Sequence, residues 1–373
     1  MLQFNPFVEN FKPNTYADEG GQVCQVDCSL GVNMEPLPEK VINKLHTLSP
    51  DVLKGYPHPF ENDVYDVLLK KVNKLNPSLK RENLALGCGS IDILRSLNSI
   101  FISNGRKALG YSPQFSAYVD DVLLKDGEYV TTYLDKAKNY ALDEDAICAK
   151  ILEEKPVFVY IDNPNNPTGQ IYSKAQLEKI WKAAREVNAA LLVDEAYGDY
   201  MDQAENSIVD KVNQWEGLIV TKTLSKGYGM AGMRLGYVMA EDYVIKELGK
   251  LLEGFNGNGL ARELAIAMLE DDDYLVGLKE VTESKVRRVK EALKGGAIKI
   301  AETADCIPIS LLYTEDESIN LARALSENGI AAVTGAGFEG LGINTVRLMV
   351  PAEKDIDLLC ELLKKTSDMI ATK

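Results

Sequence analysis

From about residue 84 to residue 239 the chain alternates short apolar runs with amphipathic segments. The runs lie at 84–86, 107–111, 157–161, 190–193, 218–220 and 236–239. Each is too short for a helix and too apolar for a strand wetted on one face. Between them, 91–101 and 174–187 space their apolar residues for one face of a helix. Strand and helix alternating in this way predict a mostly parallel sheet with helices on both faces. Ligands of such sheets bind beyond the carboxyl ends of the strands.

The flanks read differently. Residues 1–34 lack a regular period, and Pro6, Pro13 and the Gly20-Gly21 pair break any helix, which suggests an N-terminal arm. Short helical patterns follow at 39–48 and from Val64. Past residue 241 the chain turns helical over 260–293, broken at Asp271-Asp272-Asp273, and 299–373 mixes short strands with helices at 319–328 and 353–370. The chain has 373 residues, enough for two domains. The expected fold class is α/β: a large domain with a mostly parallel sheet sandwiched by helices, plus a smaller α+β domain. The expected division is 1–50 as arm and part of the small domain, 51–261 as the large domain, and 262–373 as the small one.

A formal net charge of −15 argues against nucleic acid or an anionic membrane as the main partner. No apolar run is long enough to span a bilayer, and the start lacks a basic, then apolar, leader pattern. A cytoplasmic location is expected. Cys24, Cys28, Cys88, Cys148, Cys306 and Cys360 are scattered, which predicts free thiols. No Cys or His pair follows Cys24 and Cys28 at zinc-site spacing, so no metal is expected.

Three segments could carry chemistry. The stretch 221–238 sets Lys226 among Thr223, Ser225, glycines and Arg234. It suits a reactive amine on a loop, with hydroxyls and a guanidinium to hold an anion. It also suits a glycine-rich surface turn. Asn163-Pro164-Asn165-Asn166-Pro167-Thr168-Gly169 is a rigid turn after the run at 157–161, able to aim uncharged amides at a ligand. Asp194-Glu195-Ala196-Tyr197 puts an acid at the end of an apolar strand, costly to bury unless it meets a cation. Tyr197 can face the same site. A capping carboxylate and a core tyrosine remain the alternative.

In order and spacing these segments resemble the fold-type-I pyridoxal-phosphate-dependent aminotransferases (class I/II). Within them they are most similar to the histidinol-phosphate aminotransferases and threonine-phosphate decarboxylases. The joint pattern is Asn-Pro-Asn-Asn-Pro-Thr-Gly, Asp-Glu-Ala-Tyr, and Ser-Lys with an arginine eight residues on. The resemblance runs from the arm to Arg347 and implies an aspartate-aminotransferase-like fold with pyridoxal 5'-phosphate as cofactor. Lys226 would form the Schiff base with the cofactor aldehyde and shuttle the substrate proton. Asp194 would pair with the pyridine nitrogen, and Asn166 and Tyr197 would bond the ring hydroxyl oxygen. Arg234, Thr223, Ser225 and the backbone at Ser90 and Ile91 would hold the phosphate. Ser90 could equally be an ordinary helix cap. Phe115 stands where the family stacks an aromatic on the ring, or it is a core residue. Tyr56 would reach the phosphate of the neighbouring subunit's cofactor, which implies a homodimer with shared sites. Arg347 would clamp the substrate α-carboxylate, unless it only makes a surface salt bridge. Asn33 and Tyr16, in the arm, could line the substrate side.

One departure bears on the substrate. Phosphate-ester specialists of this subgroup usually carry a further arginine shortly before the carboxylate-binding one. Residues 333–342 contain no arginine or lysine, and they include Glu339. The expected reaction is therefore transamination between an unphosphorylated amino acid and a 2-oxo acid, by a ping-pong route. Decarboxylation, racemisation or elimination on the same cofactor, and histidinol-phosphate transamination, stay open. So does a non-enzymatic binding role, against which Lys226, Asp194 and Arg347 together argue.

Overall fold

The computed structural model describes residues 8–9, 11, 24–57, 64–252 and 256–372. Tyr16 lies outside them. The central sheet has seven strands: β2 (Leu84–Gly87), β3 (Lys107–Ser112), β4 (Glu128–Tyr133), β5 (Phe158–Asp162), β6 (Ala190–Asp194), β7 (Leu218–Thr223) and β8 (Gly236–Met239). Their order is β2-β8-β7-β6-β5-β3-β4. β8 runs antiparallel to both its neighbours, and every other pairing is parallel. β1 is the two-residue strand Val26–Asp27 of the arm.

The apolar runs are continuous because the sheet is covered twice, and alternate residues of each strand serve different cores. Leu84, Leu86, Leu109, Val159, Ile161, Leu191, Val193, Leu218 and Val220 enter one core. Ala85, Ala108, Phe158, Tyr160, Ala190, Leu192, Ile219 and Val238 enter the other. The first is closed by helices such as Val64–Val72 and Lys174–Glu186. The latter starts with Ser173 and Gln176 in a reciprocal capping box and buries Leu177, Ile180, Ala183 and Ala184 at helical spacing. The second is closed by Ser90–Phe101, Ser116–Leu124 and Asp242–Leu248.

Residues 299–349 build a second, four-stranded antiparallel sheet, ordered β12-β13-β10-β9: β9 (Lys299–Ile300), β10 (Ile309–Tyr313), β12 (Val333–Thr334) and β13 (Thr345–Met349). The long helices Tyr274–Leu293 and Ile356–Ala371 pack on it through Val286, Val289, Leu359 and Leu363. The arm's β1 pairs in parallel with β11 (Ile330–Ala331), tying the start of the described chain to this part. The boundary expected between 261 and 262 falls inside the helix Gly259–Leu269. Its buried Leu264, Ala265 and Met268 join a core of the large sheet.

Among the elements with no counterpart in the sequence reading are β4 and the helices Ser116–Leu124 and Glu144–Glu154. β4 is the sheet's edge, and its Tyr129 to Thr132 are only half-buried, so it offers no apolar run to find. Among the described residues, no helix is long and apolar enough to cross a membrane. All six cysteines are free.

Candidate active site

The loops after β2, β3, β5, β6 and β7 leave the sheet at the carboxyl ends of these parallel strands. They enclose a cavity of about 560 Å³ lined by Ser90, Phe115, Asn166, Asp194, Tyr197 and Lys226, among others. That volume suits a small ligand.

β register builds the deep end. Asp162, Asp194 and Thr221 are direct neighbours across β5, β6 and β7. The Asp194 carboxylate, 3% exposed, accepts from Thr221 Oγ1 at 3.0 Å and Tyr160 Oη at 3.2 Å. Burial pushes its pKa up to about 7, against the pull of the Thr221 bond. It caps no helix. A buried acid in this state is a ready partner for a cationic ring nitrogen.

The anion end is assembled from three segments. Gly89, at φ 77°, caps the helix Ser90–Phe101, so Ser90 is the helix's first residue and not its cap. A side chain at 89 would run into the Arg234 guanidinium. Arg234 itself adopts a left-handed backbone, at φ 52°. Its guanidinium donates to the Ala231 carbonyl at 3.0 Å and lies 3.5 Å from Ser225 Oγ. Thr223 Oγ1 donates to Ser225 Oγ at 3.0 Å. Backbone N–H groups at the helix start, two hydroxyls and one guanidinium thus converge on one end of the cavity.

Between the two ends stand Lys226, Tyr197, Asn166 and Phe115. Lys226 Nζ lies 5.3 Å from the centroid of the Tyr197 ring. Tyr197 is 2% exposed and donates to the Gly31 carbonyl at 3.2 Å. Asn166 is buried, and its side-chain Oδ1 has no partner among the described residues. Phe115 lines the cavity and also packs on the second core.

Arg347 projects from β13. It is 1% exposed, which excludes a surface salt bridge, and its guanidinium donates to the Ser29 carbonyl. It meets the lysine at Gly31, where an added methyl would lie 3.5 Å from both Arg347 Nη1 and Lys226 Nζ. Asn33 is placed differently from expectation. Its amide nitrogen donates to the Gly227 carbonyl at 3.0 Å and Tyr274 Oη at 2.8 Å, and its oxygen accepts from the Glu35 backbone at 2.9 Å. With those groups occupied it fastens the arm to the lysine loop and does not line the cavity. Tyr56 also lies outside the lining, 80% exposed.

Sequence reasoning passed over Tyr160, Asp162, Thr221 and Gly31. The period of two in a strand was a usable signal for one of these, since Tyr160 shares a face with Asp162.

The family of class I and II aminotransferases matches residues 22–365. The chain belongs to this family. It is a pyridoxal-phosphate-dependent aminotransferase, acting on small molecules. It is 28% identical over 330 residues to the histidinol-phosphate aminotransferase of Thermoanaerobacter sp. (strain X514), covering 88% of this chain and 89% of the relative. To that of Caldicellulosiruptor saccharolyticus it is 32% identical over 259 residues, 69% and 70% of the two chains. The fold matches the aspartate aminotransferase of Thermus thermophilus with maleate, at a TM-score of 0.85 and 20% identity over 98% and 100% of the chains. It also matches the histidinol-phosphate aminotransferase of Sinorhizobium meliloti in complex with pyridoxal-5'-phosphate, at 0.81 and 19% over 99% of each.

The residues present fit the cofactor this family uses. One end of the aminotransferase cavity offers anion donors and the other a buried acid with no cationic partner among the described residues. An amine and an unpartnered amide oxygen lie between.

Proposed function

We propose that the enzyme moves an amino group from an unphosphorylated amino acid to a 2-oxo acid by a ping-pong route, as a homodimer. The observation that carries the substrate class is the segment 333–342, which brings a carboxylate and no cation before Arg347. Glu339 accepts from Tyr133 Oη at 2.6 Å, and its carbonyl accepts from Ser112 Oγ at 2.5 Å. The segment thus offers a substrate phosphate no cationic partner.

Pyridoxal phosphate, when bound, supplies the electron sink that stabilises charge at the substrate Cα. In this reading Lys226 Nζ anchors it and carries the proton away from Cα. Asp194 would keep the ring nitrogen protonated, Asn166 and Tyr197 would bond the ring hydroxyl oxygen, and Phe115 would lie against the ring. Ser90, Ile91, Thr223, Ser225 and Arg234 hold the phosphate. Arg347 turns from the Ser29 carbonyl to the α-carboxylate and orients Cα. Tyr56, exposed in the single chain, serves the partner's site. The two-domain division is proposed too, with the helix Gly259–Leu269 counted in the large domain because its buried residues pack there.

A second reading has its own support: the two relatives compared above by sequence are histidinol-phosphate aminotransferases. One experiment separates them. The holoenzyme is mixed with single amino donors, histidinol phosphate included, and the visible spectrum and oxo product are followed. Conversion to the amine form with a stoichiometric 2-oxo acid from an unphosphorylated donor supports the proposal. Conversion by histidinol phosphate alone supports the second reading. Release of CO₂, or inversion at Cα without an oxo product, overturns both.

A further inference from the structure

Asp162 ends β5 in direct register with Asp194. It is 4% exposed and lines the cavity, yet nothing in the reading above gives it a task. Its carboxylate is saturated with dipolar donors. Tyr111 Oη donates to Oδ1 at 2.7 Å and Gln114 Nε2 at 3.0 Å. Asn165 Nδ2 reaches both oxygens, at 3.2 and 3.3 Å. The Asn166 backbone N–H donates to Oδ2 at 2.9 Å. Burial raises the carboxyl's pKa while these bonds pull it back. The same acid therefore ties together the end of β3, the segment before Phe115, and the Asn-Asn turn.

The bond to the Asn166 backbone matters most for the site. Asn166 is the residue whose side-chain oxygen is buried without a partner. Where its amide points depends on how its backbone is held, and Asp162 supplies the acceptor that holds it. A charged acceptor makes that bond stronger than a neutral one would.

We propose that Asp162 is a positioning residue, which locks the Asn165-Asn166 turn onto the end of β5 so that the Asn166 side chain faces the cofactor ring. The proposal rests on the reading that Asn166 bonds the ring hydroxyl oxygen.

The test is a double-mutant cycle on cofactor affinity, read by titrating apoprotein with pyridoxal 5'-phosphate. Asn166→Ala alone is expected to weaken binding about tenfold, as is Asp162→Ala alone, in line with one lost bond to a charged or buried group. The double variant is expected to be no more than about twofold weaker than Asn166→Ala. Inorganic phosphate, which probes the distant anion end, should bind all four proteins alike, which a global defect would not permit. If Asp162→Ala does not fold, Asp162→Asn keeps an amide oxygen as acceptor for the Asn166 N–H at the same reach and should bind within about threefold of wild type. Unchanged affinity in Asp162→Ala, multiplying effects in the double variant, or Asp162→Asn as weak as Asn166→Ala each overturns the proposal. An Asn166→Ala protein that binds normally overturns the ring-hydroxyl reading and the proposal with it.

Discussion

Lys222 and Glu195 form an ion pair of 2.8 Å with side chains 4% and 0% exposed. Lys222 lies between Thr221 and Thr223 on β7, so alternation turns it to the opposite face from the cavity. The pair is well satisfied. Lys222 also donates to Gln203 Oε1 at 2.8 Å. Glu195 accepts from Ser207 Oγ and the Ile208 backbone, each at 2.8 Å. Removing one partner leaves an uncompensated buried charge. Lys222→Met or Glu195→Leu should therefore destabilise the protein by about 3–5 kcal/mol, and the double replacement by much less. Urea denaturation of the three variants checks this. A double loss equal to the sum of the two single losses would show that the two charges do not depend on each other.

Asp194 predicts a pH effect on the apoprotein. Its folded pKa of about 7 stands above its unfolded value, so the folded state binds the proton more tightly. As pH rises from about 4 to about 7, the unfolded chain gives up the proton first and stability falls. A fully realised shift amounts to something on the order of 4 kcal/mol. Asp194→Asn removes this penalty. The variant apoprotein should melt higher than wild type at pH 8 and gain much less at pH 5. It should also lose cofactor affinity at both. Thermal denaturation at the two pH values decides it, and an equal gain at both would sink the assignment of the effect to Asp194 ionisation.

Gly31 is the meeting point of the arm, Lys226 and Arg347. An added methyl would run into the Tyr197 hydroxyl and come into ordinary contact with the Lys226 and Arg347 side chains. Gly31→Ala should lower the melting temperature by no more than a few degrees, since the buried methyl meets only the tip of the Tyr197 side chain too closely. It should lower kcat/KM for amino donors at least about tenfold, because a small displacement of aligned groups is costly. Steady-state kinetics beside a melting curve tests this. A variant with normal kcat/KM would mean that the arm yields without disturbing Tyr197.

The legible parts of this chain are those where local pattern and tertiary environment agree. Strands β5, β6 and β7 are buried on both faces, so their apolar runs are visible, and Asp162 and Asp194 close two of them. Lys226, Asp194 and Asn166 could be picked out because each breaks such a pattern at a strand end. β4 was invisible, because an edge strand needs no apolar run. Lys222 was hidden within Thr-Lys-Thr-Leu-Ser-Lys, where nothing local announces its buried partner Glu195 at the end of the neighbouring strand. Asn33 illustrates the converse. An asparagine in the arm looks available to a ligand until the Gly227 carbonyl and Tyr274 hydroxyl occupy its donors.

Arg347 gives the sharpest test of the substrate end. β10 and β12 flank β13, with Leu311 and Val333 as the neighbours of Arg347 in the ladder. The long side chain is thus held with its guanidinium at the Ser29 carbonyl, beside Gly31. Lysine at this position would keep the charge and lose the fork that matches a carboxylate. Arg347→Lys should therefore raise KM for amino and oxo acids about 10- to 100-fold, the range of one or two lost charge-assisted bonds. An amine without a carboxylate makes no such bonds, so its half-reaction rate should change less than about threefold. Comparing the two donors separates recognition from folding. An equal loss for both would place Arg347 in general support of the site, away from the α-carboxylate.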